Sequence, residues 1–206
     1  MESIIKDNIQ EHMISNNLIL SNQHGFTAGR SCTTKLLTTI NYWTKALEEG
    51  HSVDVLYFNF AKAFDSVPHN CFIAKLQGLG VSGRLLTWLK NFLVNRKQKV
   101  VLNTCSSSWS SVKSSVPQGS VLGPVLFNIY VSDMPRNVDS ILLQFADDVK
   151  MFRAIKTTQD FHCLQSDIDK LVAWCKLWQL NFNVSKCNLL HLGSLHTFGE
   201  YTINGL

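Results

Sequence analysis

Two adjacent aspartates, Asp147 and Asp148, close the run Phe145-Ala146-Asp147-Asp148 between two apolar stretches. Neighbouring carboxylates repel unless something positive compensates them. A divalent cation does so well, because hard ions such as Mg²⁺ prefer oxygen ligands. The run alone also reads as an ordinary aspartate-rich turn. A second segment, Pro117-Gln118-Gly119-Ser120, pairs a glycine that lets the backbone approach a ligand with a serine suited to open a helix. Helix N-termini attract phosphate; a simple capped loop has the same composition. A third, Tyr57-Phe58-Asn59-Phe60-Ala61-Lys62-Ala63-Phe64-Asp65, taken alone is a buried strand that runs into a turn.

Elements must hold these residues in place. Ile5, Ile9 and Met13 predict a helix over 3–15, and Leu36, Ile40, Trp43 and Leu47 an amphipathic helix over 33–48 that Gly50 stops. The β-branched and aromatic run 53–60 predicts a strand, with Val53, Val55, Tyr57 and Asn59 on one face and Leu56, Phe58 and Phe60 on the other. Pro68 suits the first turn of a helix over about 69–78, and Ser82 can cap one from 83 to about 94, carrying Leu85, Leu86, Leu89 and Leu93 inward. Residues 97–102 and 111–116 read as hairpin arms, with the serine-rich stretch 104–111 as their turn. Gly119 and Ser120 open a helix to about 131. Strands 142–145 and 149–152 flank an Asp-Asp turn. Phe161, Leu164, Ile168, Leu171, Cys175 and Trp178 mark a long helix, 187–192 a strand, and 201–206 the start of another. Strands alternating with packed helices give an α/β layer architecture (α+β).

With 206 residues and 45% hydrophobic composition, one compact domain is expected and disorder is excluded. No apolar run is long enough to span a membrane, and the N-terminus lacks a signal-peptide core. An intracellular protein is expected, in nucleus or cytoplasm, since no convincing basic import cluster is present. The six cysteines form no CxxC pair, so they read as free thiols. Net charge is only +4, yet no acid occurs from Ser66 to Ser132, where Lys75, Arg84, Lys90, Arg96, Lys97, Lys99 and Lys113 lie. Such a stretch suits a phosphate backbone or simply forms a solvated basic face.

In their order and spacing, the three segments resemble the palm motifs of reverse transcriptases of non-LTR (LINE-like) retrotransposons, of the jockey and chicken-repeat-1 type. The resemblance extends to Gln23-His24-Gly25-Phe26-Thr27-Ala28-Gly29-Arg30-Ser31-Cys32, similar to a fingers motif. It continues through Val121-Leu122-Gly123-Pro124-Val125-Leu126-Phe127-Asn128, and through Trp174, Trp178, Leu180, Asn181 and Asn183-Val184-Ser185-Lys186-Cys187. It implies a reverse-transcriptase palm with partial fingers, an antiparallel sheet backed by helices. Across 1–206 it implies a single domain: about 1–50 partial fingers, 51–206 mostly palm with a fingers-like insertion. It also implies RNA-directed DNA polymerase activity on an RNA template, a DNA primer and dNTPs, with two Mg²⁺ ions or Mn²⁺ in their place. Asp147 and Asp148 would hold metal. Phe64 would gate against ribonucleotides, Gln118 and Gly119 would line the nucleotide, and Lys186 would donate a proton to the pyrophosphate. Asp65 would serve a turn rather than a metal. Arg30, Arg84, Lys90, Arg96, Lys97 and Lys99 are candidates for nucleic-acid contact.

The chain departs from this pattern at Asn59, where the family has a metal-binding aspartate. A neutral amide cannot bridge two metals as a carboxylate does, so weak or absent synthesis is expected. Relative to the family, the resemblance also implies truncation at both ends: an Arg-Pro-Ile-Ser type motif is missing and so is the thumb. A non-catalytic nucleic-acid-binding remnant is the alternative, and a poorly folding translated pseudogene a third reading.

Overall fold

The computed structural model describes residues 1–18, 22–194 and 198–203. In chain order the elements are α1 (Glu2–Ser15), α2 (Cys32–Glu48), β1 (Ser52–Asn59), α3 (Ala63–Ser66), α4 (His69–Gly78), α5 (Gly83–Leu93), β2 (Lys97–Gln98), β3 (Val101–Leu102), β4 (Cys105–Ser106) and β5 (Ser110–Ser111). Then follow α6 (Gly123–Tyr130), β6 (Ile141–Phe145), β7 (Asp148–Ile155), α7 (Thr158–Leu177) and β8 (Asn188–Leu192), with 3₁₀ turns at Met134–Asn137 and Val184–Lys186. The chain divides into two compact units, one from 1–18 and 62–130, the other from 19–61 and 131–206.

The second unit is built on an antiparallel sheet of order β6-β7-β1-β8. Alternation along β1 buries both faces. Val53 and Val55 join Ala46, Leu143 and Phe152 in one cluster, flanked by Tyr42, Trp43 and Tyr57. On the other face Phe58 packs on Phe182, ring centroids 5.0 Å apart, and Phe60 stacks on Phe182 at 4.9 Å. Each side chain of this size removed from water contributes about 1.5–3 kcal/mol before entropy is counted. Helix α7 buries Phe161, Leu164, Ile168, Leu171 and Cys175, as its spacing predicts. It begins earlier than its first aromatic because Thr157 and Asp160 form a capping box.

Helix α2 lies at its predicted place, but its buried face is turned away from most of its apolar stripe, keeping only Trp43 of it. Thr39 and Ala46, two turns apart, are buried, whereas Leu36 and Ile40 are 51% and 45% exposed. Small side chains let the helix lie close on a sheet face already filled by Val53, Val55 and Phe152, and Tyr42 and Trp43 reach down beside them. Residues 201–203 form no strand. Gln165 of α7 brackets Thr202 instead, donating to its carbonyl at 3.0 Å and accepting from its N–H at 2.9 Å. Residues 204–206, the rest of that expected strand, lie outside the described residues.

In the first unit α1, α4, α5 and α6 bury Ile9, Met13, Phe72, Leu76, Leu89, Leu93, Leu126 and Phe127. Phe72 meets Tyr130 edge-on at 5.6 Å. The expected hairpin exists as two short ladders, β2 with β5 and β3 with β4, and its turn falls at 103–104 rather than across 104–111. Asn103 takes the left-handed φ of +52° that this tight turn needs. Helix α6 starts at Gly123, later than expected. The Ser120 hydroxyl accepts from the Gly123 N–H at 2.8 Å, so the serine caps the helix from outside rather than opening it.

Candidate active site

The hairpin between β6 and β7 carries the aspartates. Phe145 pairs with Asp148, so the loop is Ala146-Asp147 and Asp148 is the first residue of β7. The turn is therefore one residue earlier than an Asp-Asp turn. Ala146 takes a φ of +54°, a left-handed conformation that costs an L-residue roughly 1–2 kcal/mol. Gln23 holds it there: its Oε1 accepts from the Gly25 N–H at 2.8 Å and from the Ala146 N–H at 3.2 Å. Residues 22–24 run parallel along β6, with the His24 N–H donating to the Gln144 carbonyl at 2.9 Å and the Gln144 N–H to that of Asn22 at 2.8 Å. Gly25 abuts the loop backbone, where any Cβ would lie 3.0 Å from the Phe145 carbonyl carbon and nearer still to the Ala146 nitrogen. The segment resembling a fingers motif is thus the scaffold of the aspartate turn. Sequence reasoning did not single out Gln23 or Gly25, because both act across more than a hundred residues.

Asn59 ends β1 directly opposite Asp148 in the ladder. Directly paired residues share a face, so the amide, the carboxylate and, two residues along each strand, Tyr57 and Lys150 project together. The Asn59 carbonyl is fixed from behind by the Asn183 N–H at 2.7 Å. These residues line a cleft of about 430 Å³, bordered also by Cys32, Lys35, Phe145 and Lys186. Lys35 Nζ donates to the Asp148 carbonyl oxygen at 3.4 Å. Lys150 Nζ lies 5.0 Å from the Tyr57 ring centroid and 5.2 Å from that of Trp43. Burial, then the charge of Lys150, push the Lys35 ammonium down to about 8, with Asp148 partly offsetting them. Burial likewise lowers Lys150. Neither lysine was expected here. The period of two along β7 could have shown Lys150, since it shares the Asp148 face.

The donor set can be tested against a divalent cation. Among the described residues no three His, Cys, Asp or Glu side chains gather as ligands. Asp147 and Asp148 supply carboxylates, Asn59 supplies one neutral oxygen, and a lysine sits beside Asp148. Two carboxylates and a neutral amide beside an ammonium group do not fit a pair of bridged divalent cations, whose charge calls for more acidic oxygen ligands.

The other candidate residues are spread more widely. Phe64, Gln118 and Gly119 belong to the first unit. Phe64 stacks on Phe127 at 4.7 Å, and its carbonyl accepts from Val116 at 2.9 Å. Gln118 donates to the carboxylate of Asp65, a residue of α3, at 3.1 Å. Gly119 is exposed at a φ of +77°. The two N–H groups just before α6 are already engaged: the Glu2 carboxylate accepts from Val121 at 2.9 Å and Leu122 at 3.2 Å. Arg84, Lys90, Lys97 and Lys99 are exposed, and Lys99 Nζ lies 5.2 Å from the exposed Trp109 ring. Arg96 instead turns inward, donating to the Leu93 carbonyl at 2.9 Å and to both Ser115 oxygens at 2.8 Å. In the second unit, half-buried Arg30 lies beside His24, whose pKa is lowered by burial and then by the arginine charge.

A family model described as reverse transcriptase (RNA-dependent DNA polymerase) matches residues 1–202. The chain is 28% identical over 193 residues to the RNA-directed DNA polymerase from mobile element jockey of Drosophila funebris, covering 89% of this chain. It is 26% identical over 194 residues to the probable RNA-directed DNA polymerase from transposon BS of Drosophila melanogaster, covering 90%. It spans about a fifth (21%) of the length of each relative. Apo telomerase from Candida tropicalis superposes with a TM-score of 0.68 at 11% identity, over 92% of this chain and 37% of that one, a likeness of fold.

Proposed function

Because the chain belongs to the reverse transcriptase (RNA-dependent DNA polymerase) family, we propose that it is the palm-bearing region of a retrotransposon RNA-directed DNA polymerase whose metal site is incomplete at Asn59. The observation that carries this reading is the register that sets Asn59 opposite Asp148, beside the Ala146-Asp147 loop. It supports Asp147 and Asp148 as metal ligands and Asn59 as the position from which the third carboxylate is missing. Reverse transcriptases generally use divalent metal ions, two Mg²⁺ in this reading. The present donor set does not fit two such ions, so no catalytic step is assigned to this chain as it stands. Phe64, Gln118 and Gly119 as nucleotide-facing residues, Lys186 as proton donor, and RNA template, DNA primer and dNTP as partners belong to the same proposal. So do partial fingers over about 1–50 and palm over 51–206.

Losing one preorganised electrostatic group commonly costs on the order of 10²–10³ in rate. The test is primer extension on an RNA template with Mg²⁺ and dNTPs, comparing the native chain, Asn59→Asp, and Asn59→Asp with Asp147→Ala. Synthesis should return with the carboxylate and vanish again without Asp147. A native chain that extends within about tenfold of Asn59→Asp, a difference under ~1.4 kcal/mol, would sink the proposal.

A second reading, binding of nucleic acid without catalysis, is favoured by the exposed Arg84, Lys90, Lys97 and Lys99 within a stretch that has no acid. Binding indifferent to Mg²⁺ and dNTP but sensitive to salt would support it.

A further inference from the structure

We propose that the outer edge of β8 takes up an extended apolar peptide of another protein as a further strand of the sheet, seating one bulky apolar side chain in the recess beside Leu189. Sheet order leaves β8 outermost, and among the described residues no strand pairs with its other side. Its ladder with β1 runs unbroken from Asn188 opposite Tyr57 to Leu192 opposite Val53. Outermost strands present backbone donors and acceptors to any passing strand, and proteins usually blunt them with lysine, proline or a bulge. The run Asn188-Leu189-Leu190-His191-Leu192 has none of these. Leu189 and Leu190, on opposite faces, are 52% and 38% exposed instead. Apolar side chains beside an unpaired edge are what strand addition uses.

A second observation is independent of the first. A recess of about 200 Å³ opens beside the strand, lined by Leu56, Val184, Cys187, Leu189, Tyr201 and Ile203. Its size suits one aromatic ring, since a cavity of about 150 Å³ holds benzene. No charged side chain lines it, so the group it takes is apolar. Its wall is already set: the Tyr201 hydroxyl donates to the buried Asp54 carboxylate at 2.6 Å, and Gln165 brackets Thr202. A preformed wall leaves little ordering cost on binding. Ladder bonds then give affinity for any extended backbone, and the recess selects the side chain. The inference is separate from the metal site and needs no catalysis.

Fluorescence anisotropy with the labelled, end-capped peptide Lys-Thr-Val-Phe-Val-Thr-Lys tests it. Saturable binding is expected, weakened about tenfold when alanine replaces the peptide's phenylalanine, as loss of an anchor side chain implies. Replacing the Thr-Val pair before that phenylalanine by Pro-Pro removes a ladder donor in either register and should weaken binding at least as much. Leu189→Lys sets a charge at the mouth of the recess and should weaken it about tenfold, with native circular dichroism. Hydrogen–deuterium exchange within 188–192 should slow on binding, because outward N–H groups gain acceptors. No saturable binding, equal affinity for the Pro-Pro peptide, unchanged affinity in Leu189→Lys, or exchange that slows only elsewhere overturns the proposal. So does a native chain that sediments as a dimer and becomes a monomer in Leu189→Lys, since the edge would then belong to a second copy.

Discussion

At the scale of single residues, the aspartate turn depends on two backbone accommodations. Gly25 leaves room for the Ala146 nitrogen, and no rotamer change can make space for a methyl group against backbone. Gly25→Ala should therefore lower stability by about 1–3 kcal/mol, the usual cost of overpacking, read as a shifted urea midpoint. Ala146 behaves differently. Its left-handed φ of +54° costs roughly 1–2 kcal/mol that glycine would not pay, but glycine gives back about 0.5–1 kcal/mol in chain entropy. The second offsets the first only in part, so Ala146→Gly should be neutral to about 1.5 kcal/mol more stable than the native chain in the same measurement. Asn59 differs again. It fits its place in the ladder without strain, so Asn59→Asp should change the chemistry of the cleft far more than the midpoint.

At the scale of elements, β8 is tied to β1 by more than its ladder. The buried Asp54 carboxylate accepts from His191 of β8 and, at 2.6 Å, from the Tyr201 hydroxyl. Burial pulls the His191 pKa down, but the Ser194 carbonyl and Asp54 outweigh it, and the net shift is upward. A histidine raised in the folded state contributes stability fully below its unfolded value, about 6.5. That contribution is lost as pH climbs through the raised folded value. Stability should thus fall from about neutral pH into the alkaline range, and His191→Gln should flatten that slope in urea titrations run from acid to alkaline pH. Helix α7 carries its own local device, the Thr157–Asp160 capping box. Thr157→Ala removes an N-cap and should cost about 1 kcal/mol, measurable as a lower thermal midpoint.

At the scale of the whole molecule, charge is unevenly divided along the chain. The acid-free stretch 66–132 lies almost wholly in the first unit, where Arg84, Lys90, Lys97 and Lys99 are exposed. If these contact a phosphate backbone, Lys97→Ala with Lys99→Ala should reduce the salt slope of RNA binding by about 1.4, near 0.7 per contact on a single strand. Fluorescence anisotropy across a salt series measures this. Arg96→Ala should act otherwise, because its guanidinium braces the Leu93 and Ser115 carbonyls. It should lower stability by about 1–3 kcal/mol as a charged donor lost from buried acceptors, with a smaller change in slope.

Much of this protein is local enough to be written in its sequence. The period of two in Val53–Asn59 and the spacing of Phe161, Leu164, Ile168 and Leu171 each settle an element, because side-chain direction repeats with the backbone. Asp147 and Asp148 name a candidate site because like charges side by side demand compensation. What tertiary structure alone decided is where distant segments meet. Leu36 and Ile40 form a helical stripe, yet Thr39 and Ala46 are buried, because the opposing sheet face sets how near the helix can lie. Gln23 reaches Ala146, Glu2 occupies the amides before α6, and Lys35 and Lys150 share a cleft with Asn59. Such meetings are fixed by sheet order and close packing, which depend on the whole chain at once.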